Sequence, residues 1–309
     1  MPLNLTIVAV FAIFFFAGPI SAETAYPISR IDGMNKTIRL EREPQNISSK
    51  TLFTDEVLTA ILPSNRLTSI TSLASDPNYS NIADRLPKGV AQLDFYVEPI
   101  LNNFPDLVFA ANWSEINKVT QLRQAGIQVY LVNTPFTLAA IEAEITKLGE
   151  LLNRSTQAAD LIANMQGDLA SLAEQKAAIE RQQWVALDYN SWGTASGADT
   201  TWQAILDGVG LINGTAPYEQ GDFGQVAMSK ELIIKIDPDV LFLPGGLYGA
   251  DPASNTFYQQ VINDPALADV QAVKNRRVYE IPGALRGTYS HHIVRTIRYV
   301  SDQLSHDLP

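Results

Sequence analysis

The sequence predicts an α/β protein of two lobes, each built on a mainly parallel sheet, joined by one long α-helix. Its 309 residues are the length of two ordinary domains. Short apolar runs alternate with helical patterns on both sides of residues 151–181, which is typical of βα units and a parallel sheet. Between these halves, apolar residues recur at three- and four-residue steps without a proline, which predicts an amphipathic helix.

Composition limits the function before any motif is considered. Apolar residues make up 46% of the chain and charged residues 18%, as in a folded protein. The formal net charge of −11 disfavours phosphate backbones, so we expect no nucleic-acid partner. The chain has no cysteine, which leaves no thiol nucleophile and no cysteine to carry a lipid anchor. Because it has only three histidines, we predict no metal site of its own and no resident cofactor.

The first element is a predicted signal peptide over residues 1–22. No residue in this range is charged, and residues 5–17 are almost purely apolar. The apolar run is shorter than the roughly 20 residues that span a bilayer, so a transmembrane anchor is the weaker alternative. Ala22 before Glu23 is a plausible cleavage point. We therefore expect a mature protein that is free in the periplasm.

The first lobe is predicted over residues 23–150. A polar lead runs to Asn46, and β-rich apolar runs follow at residues 67–71, 106–110 and 127–132. Gly126 stands where a glycine would end the helix before the third of these strands.

The interdomain helix is predicted over residues 151–181, with its regular apolar pattern at 155–181. At 1.5 Å per residue this pattern would extend about 40 Å, which is more than a crossover within one small lobe needs. We therefore expect the helix to connect the two lobes.

The second lobe is predicted over residues 182–309, where the β/α alternation resumes. The predicted strands are 184–189, 239–244 and 277–281, and the predicted helices are 201–209 and 289–304.

One pattern occurs in both halves of the chain. Glu98 stands seven residues before Pro105-Asp106, and Glu231 stands seven residues before Pro238-Asp239. Each segment predicts a short helix that opens near the glutamate, ends at the proline and is followed by a buried strand. A glutamate in a first turn can simply complement the helix dipole. Two glutamates at equivalent places would instead form a matched pair, which suits a partner with twofold symmetry.

These segments, in their order and spacing, resemble the substrate-binding proteins of ABC importers for iron–siderophore complexes, haem and vitamin B12. The resemblance covers essentially the whole mature chain and is carried also by Leu122…Ala125-Gly126-Ile127-Gln128-Val129, Leu148-Gly149, Ser196-Gly197, Leu206…Val209-Gly210, Asn213 and residues 272–279. It implies two Rossmann-like lobes on a rigid helical backbone and a monomer that opens only modestly. It also implies that Glu98 and Glu231 form salt bridges with arginines of an inner-membrane permease dimer.

The resemblance implies a metal-chelate cargo, a ferric siderophore first, with haem or cobalamin as alternatives. The cargo would lie between the lobes, at the carboxyl ends of the strands. The loops expected there are aromatic, which suits a large chelate. Arg286 adds a charge that could pair with a cargo oxygen, and Tyr289, His291 or His292 could ligate a haem iron. The predicted ligand-binding residues are Tyr79, Trp113, Phe136, Tyr189, Trp192, Phe223, Arg286 and Tyr289.

Two other classes of function stay open at this point. An exported hydrolase is disfavoured because the chain has no G-x-S-x-G elbow, no H-E-x-x-H and no P-loop, and we predict no catalytic residue. A ligand-sensing module without transport would have no use for both Glu98 and Glu231.

Overall fold

The computed structural model describes residues 25–246 and 256–308. The predicted signal peptide over residues 1–22 lies outside these ranges. Within them, no helix has the length and apolar character that crossing a membrane would require.

The first half of the described chain forms a five-stranded parallel sheet preceded by a hairpin. The hairpin, β1 (Ile28–Ile31) and β2 (Thr37–Leu40), occupies the predicted polar lead. The sheet order is β5-β4-β3-β6-β7, and every pair in it is parallel. Its elements are β3 (Ile47–Ser49), α1 (Leu52–Ile61), β4 (Leu67–Ile70), β5 (Ala91–Gln92), α2 (Val97–Leu101), β6 (Leu107–Ala111), α3 (Ile116–Gln124), β7 (Gln128–Val132) and α4 (Leu138–Leu151).

The three strands predicted in this half are confirmed to within one residue at either end. All five residues of β6 are buried, as expected for an unbroken apolar run covered on both faces. Gly126 has a φ of +86°, a left-handed conformation that ends α3 and lets β7 begin at once.

The segment predicted as one interdomain helix over residues 151–181 contains two helices in the structure, and Leu151 belongs to the end of α4. Helix α5 (Ser155–Ser171) and helix α6 (Ala173–Glu180) meet at Leu172, whose φ and ψ are −95° and 0°. The Ser171 hydroxyl donates to the carbonyl of Asp168, and such a bond competes with the regular helix pattern. Helix α5 packs on α1 and α4, whereas α6 packs on elements of the second half.

The second half forms a four-stranded parallel sheet in the order β10-β8-β12-β13, with a separate antiparallel ribbon of β9 and β11. Its elements are β8 (Val185–Asp188), β9 (Thr194–Ser196), α7 (Thr201–Val209), β10 (Ile212–Asn213), β11 (Gln225–Ala227), α8 (Lys230–Ile236), β12 (Val240–Pro244), α9 (Thr256–Ile262), α10 (Gln271–Lys274), β13 (Val278–Ile281), α11 (Gly283–Arg286) and α12 (Ile293–Ser305).

The last helix begins four residues later than the sequence predicts. We expected it from residue 289, but Tyr289, Ser290 and His291 precede it in a loop and His292 caps it. The Tyr289 hydroxyl lies 3.0 Å from the Thr51 hydroxyl, and the Ser290 hydroxyl bonds Glu56. These contacts with the first half hold the segment out of the helix.

The two halves share one hydrophobic core. A single cluster of buried side chains runs from Ile47 and Phe53 of the first half to Trp202 and Leu304 of the second. Helix α12 packs against α5, α6 and α7. The lobes are therefore joined by packed side chains as well as by the covalent bridge.

Candidate functional site

The carboxyl ends of the two sheets face each other across the junction of the lobes. Thr51, just beyond β3, contacts Tyr289, which follows β13 and α11. The Asn81 amide donates to the carbonyl of Ala284 at 2.9 Å. In each sheet the chain order reverses once, between β3 and β6 and between β8 and β12. Open α/β sheets bind ligands outside the strand ends at such a reversal.

A cavity of about 760 Å³ opens at the carboxyl end of β8. The loop after β8, the β9–β11 ribbon and α11 supply its wall. The lining residues are Asn190, Trp192, Thr194, Ser196, Glu219, Gln220, Gly221, Asp222, Phe223, Gln225, Ala227 and Arg286. Three of the eight predicted ligand-binding residues, Trp192, Phe223 and Arg286, thus line one cavity.

The rim of this cavity carries two almost fully exposed aromatic rings. Trp192 is 86% exposed and Phe223 is 96% exposed. Phe223 has a φ of +56°, in the left-handed region, which costs a non-glycine residue roughly 1 kcal/mol or more. The loop therefore holds an apolar ring in water at some cost in backbone strain.

The floor of the cavity is an ion pair. Arg286 donates from Nε to Oδ1 of Asp188 and from Nη2 to Oδ2, both at 2.8 Å. Ser196 donates to the same Oδ2 at 2.6 Å. Asp188 is 2% exposed, so Arg286 supplies the compensating charge for this buried carboxylate. The predicted cation is present in the cavity, but an internal carboxylate neutralises it.

A set of neutral polar side chains surrounds this ion pair. The Asn190 amide donates to the Thr194 hydroxyl at 2.8 Å, and Thr194 donates to Gln225 at 3.1 Å. Gln225 in turn reaches Ser196. Sequence reasoning missed this polar set, although the position of Asn190 just past a buried strand was a usable signal.

The predicted aromatic residues of the first lobe lie on loops after its strands and do not line this cavity. Tyr79, Trp113 and Phe136 are all exposed. The Trp113 indole donates to Thr134 at 3.0 Å, which fixes its ring beside the carboxyl end of β7. These side chains offer apolar surface at the edge of the first sheet.

Tyr189 and Tyr289 are half-buried, and each packs against another aromatic ring. The Tyr189 ring is 5.5 Å from that of Phe257. The Tyr289 ring stacks on Phe53 at 6.1 Å, and burial raises the pKa of its hydroxyl. Packing between elements accounts for both positions.

Of the histidine pair, His292 is buried and His291 is half-buried. The rings of His291 and His292 are 3.9 Å apart. Burial lowers the pKa of His291 to about 4 and that of His292 to about 2, with Arg85 and Arg295 adding to both shifts. Among the residues that the structure describes, no three histidine, aspartate or glutamate side chains are grouped to hold a metal ion.

The two glutamates of the repeated pattern occupy equivalent places. Glu98 and Glu231 are each the second residue of a short helix, α2 and α8, and both are exposed. Helix α2 precedes β6 and α8 precedes β12, and each of these strands lies beside the first strand of its own sheet. The repeat seen in the sequence is therefore a repeat of topology.

Comparisons with known proteins also point to a binding protein. The sequence profile of a family described as "Periplasmic binding protein" matches residues 47–285. The ABC transporter substrate-binding lipoprotein YvrC of Bacillus subtilis is 24% identical over 83% of this chain and 78% of its own length. A cobalamin-binding protein of Halobacterium salinarum is 22% identical over 70% of this chain, and the match spans 58% of that protein.

A solved structure extends the likeness to the fold. A possible iron-binding, periplasmic solute-binding protein of Staphylococcus epidermidis superposes with a TM-score of 0.71 at 18% identity, over 85% of this chain and 99% of the other. At this identity the likeness concerns the fold alone.

Proposed function

This chain belongs to the periplasmic binding protein family, and we propose that it captures a metal chelate between its lobes and delivers it to the permease of an ABC importer. We propose a ferric siderophore as the first candidate cargo. The observation that carries the proposal is the cavity at the carboxyl end of β8, with its exposed aromatic rim.

The size and chemistry of the cavity support a large, partly apolar cargo. A volume of about 760 Å³ lies within the range of small-molecule sites. Aromatic rings bury much area on contact and lose little conformational entropy, so Trp192 and Phe223 suit the apolar faces of a chelate. The amides of Asn190 and Gln225 would meet its oxygens.

Cobalamin is the second candidate, because the Halobacterium relative is named for binding it. Haem has less support from the site. Tyr289 would have to give up its contact with Thr51 to reach an iron, and the imidazoles of His291 and His292 are packed between the lobes. We propose no catalytic role for any of these groups.

The proposal also covers how the protein docks to a permease and where in the cell it acts. Glu98 and Glu231 would contact the two permease subunits, since they project from equivalent helices of the two lobes. We propose that residues 1–22 direct export and that the mature chain acts in the periplasm as a monomer. YvrC is a lipoprotein, whereas this chain has no cysteine to acylate.

Tryptophan fluorescence of residues 23–309 tests the proposal directly. Trp113 and Trp192 are exposed and can report on the cleft, whereas Trp184 and Trp202 are buried. We expect saturable quenching by a ferric chelate or cobalamin at sub-micromolar concentration, and a smaller signal from Trp192→Phe. Iron-free chelator and titration of the buffer alone are the controls.

An aromatic truncation ties binding to this cavity. Phe223→Ala should weaken binding at least about fivefold, since a good aromatic contact contributes about 1 kcal/mol beyond its buried area. Phe104→Ala is the matched control, because Phe104 is also largely exposed but precedes β6 at the amino end of the first sheet. Equal affinities of the two variants, or no quenching by any chelate, would contradict the proposed function.

A further inference from the structure

The cavity offers a cargo no net positive charge. Its charged lining side chains are Glu219, Asp222 and Arg286. Both acidic side chains are exposed, and Arg286 is held by both oxygens of Asp188. The pair of Arg286 and Asp188 still presents N–H donors, but its charges cancel. In the lining that the structure describes, Glu219 and Asp222 are left without a compensating cation.

Three lysines, Lys50, Lys118 and Lys230, have partners of their own within the protein. Lys50, just beyond β3, is buried, and its ammonium donates to the carbonyls of Ile70 and Leu93. Lys118 pairs with Glu115, and Lys230 pairs with Asp264, each at 2.6 Å.

Other loop residues add no cation to the cavity. Arg85 and Arg295 line a separate cavity of about 200 Å³. The loops after the strands of the facing lobe carry both signs of charge, and none of their charged side chains lines the cavity. These residues are Asp76, Asp84, Arg85, Lys88, Asp94 and Glu115.

From this charge distribution we propose that the cargo is an uncharged or cationic chelate. The proposal rests on the proposed function and narrows it. An anionic chelate would approach Glu219 and Asp222 with nothing to offset the repulsion. An uncharged hydroxamate or corrinoid would instead accept hydrogen bonds from the free N–H groups of Arg286 and from the amides of Asn190 and Gln225.

Three ferric chelates of comparable size separate the possibilities. Ferrichrome is an uncharged trishydroxamate, ferrioxamine B is a trishydroxamate with a free ammonium, and ferric enterobactin is a trianionic triscatecholate. At low ionic strength we expect the anionic chelate to bind at least about tenfold more weakly than the two hydroxamates. Added salt should narrow the difference, because the repelling carboxylates are exposed.

Two double variants that each remove two negative charges assign the effect to the cavity. Glu219→Gln combined with Asp222→Asn should strengthen binding of the anionic chelate several-fold and weaken that of the cationic one. Asp160→Asn combined with Glu174→Gln is the matched control, since it makes the same change in net charge on exposed positions of α5 and α6. The control should leave the order of affinities unchanged.

The outcomes distinguish this inference from the function on which it rests. Tightest binding of the anionic chelate would overturn the charge inference while supporting the capture of a chelate. Failure of all three chelates and of cobalamin to bind would overturn both. Equal responses of the cavity variant and the α5–α6 variant would show that any preference comes from net charge and would overturn the assignment to Glu219 and Asp222.

Discussion

Truncation of Glu56 should weaken the junction between the lobes. This carboxylate of α1 is 3% exposed and accepts from the backbone N–H of Asn81 at 2.8 Å and from its side-chain amide at 3.2 Å. Its other oxygen accepts from the Ser290 hydroxyl of the second half. Asn81 in turn donates to Ala284. Burial raises the pKa of Glu56, and these donors oppose that shift.

The magnitude follows from the donors that Glu56→Ala leaves behind. The Asn81 N–H and the Ser290 hydroxyl would each lose a buried acceptor, which costs about 1–3 kcal/mol per group. Removal of a desolvated carboxylate offsets part of this loss. We expect the free energy of unfolding to fall by about 3 kcal/mol, or roughly 5 °C in Tm for a chain of this size.

Glu56→Gln is the matched variant. Its carbonyl oxygen can still accept from Asn81, and its amide can donate to the Ser290 oxygen, so we expect a loss within about 1 kcal/mol. Urea unfolding of the single variants, Ser290→Ala and the double variant measures the coupling between the two residues. A loss below about 0.5 kcal/mol for Glu56→Ala would refute the reasoning. Equal losses of stability for Glu56→Ala and Glu56→Gln would also refute it.

Two further predictions concern docking and pH. Reversal of both Glu98 and Glu231 to lysine should abolish uptake of the chelate by cells. The affinity for the chelate in solution should stay unchanged, because both side chains are exposed and lie outside the cavity. Uptake that survives the double reversal would contradict the docking role. Burial lowers the folded-state pKa of His291 to about 4 and that of His292 to about 2, from the usual value of about 6.5. The unfolded chain therefore binds more protons below pH 6.5, and each imidazole should remove about 1.4 kcal/mol of stability per pH unit as the pH falls from about 6.5 to 4. Urea unfolding between pH 4 and 7 should show a shallower decline for His291→Gln than for the unsubstituted chain, and parallel curves would contradict this.

The sequence predicted those parts of the fold whose signal is local. The strands at residues 107–111, 128–132 and 240–244 are unbroken apolar runs closed by glycine, proline or polar residues, and the structure has them within one or two residues. The helix at Thr201–Val209 has the predicted bounds, because its amphipathic pattern is strong and Gly210 ends it with a φ of +91°.

What the sequence could not predict depends on contacts between distant residues. The late start of α12 follows from the contact of Tyr289 with Thr51, 238 residues away. The ion pair of Arg286 and Asp188 joins residues that are 98 positions apart in the sequence. Because Asp188 neutralises Arg286, the side chain expected to bind an anion forms an uncharged cavity floor instead. The sequence showed that the loops are rich in aromatic residues, but it did not show which of these rings are exposed to solvent.

The arrangement of the core bears on how a cargo would be held and released. Because one buried cluster continues from Ile47 to Leu304, a wide hinge opening would expose apolar side chains that both lobes share. The side chain of Gln175 on α6 donates to Asp302 on α12, and Arg298 on α12 pairs with Asp168 on α5. Both helices of the bridge are thus tied to α12 of the second half. Release of a cargo would then depend more on the exposed rim of Trp192 and Phe223 than on large movements of the lobes, which favours modest opening.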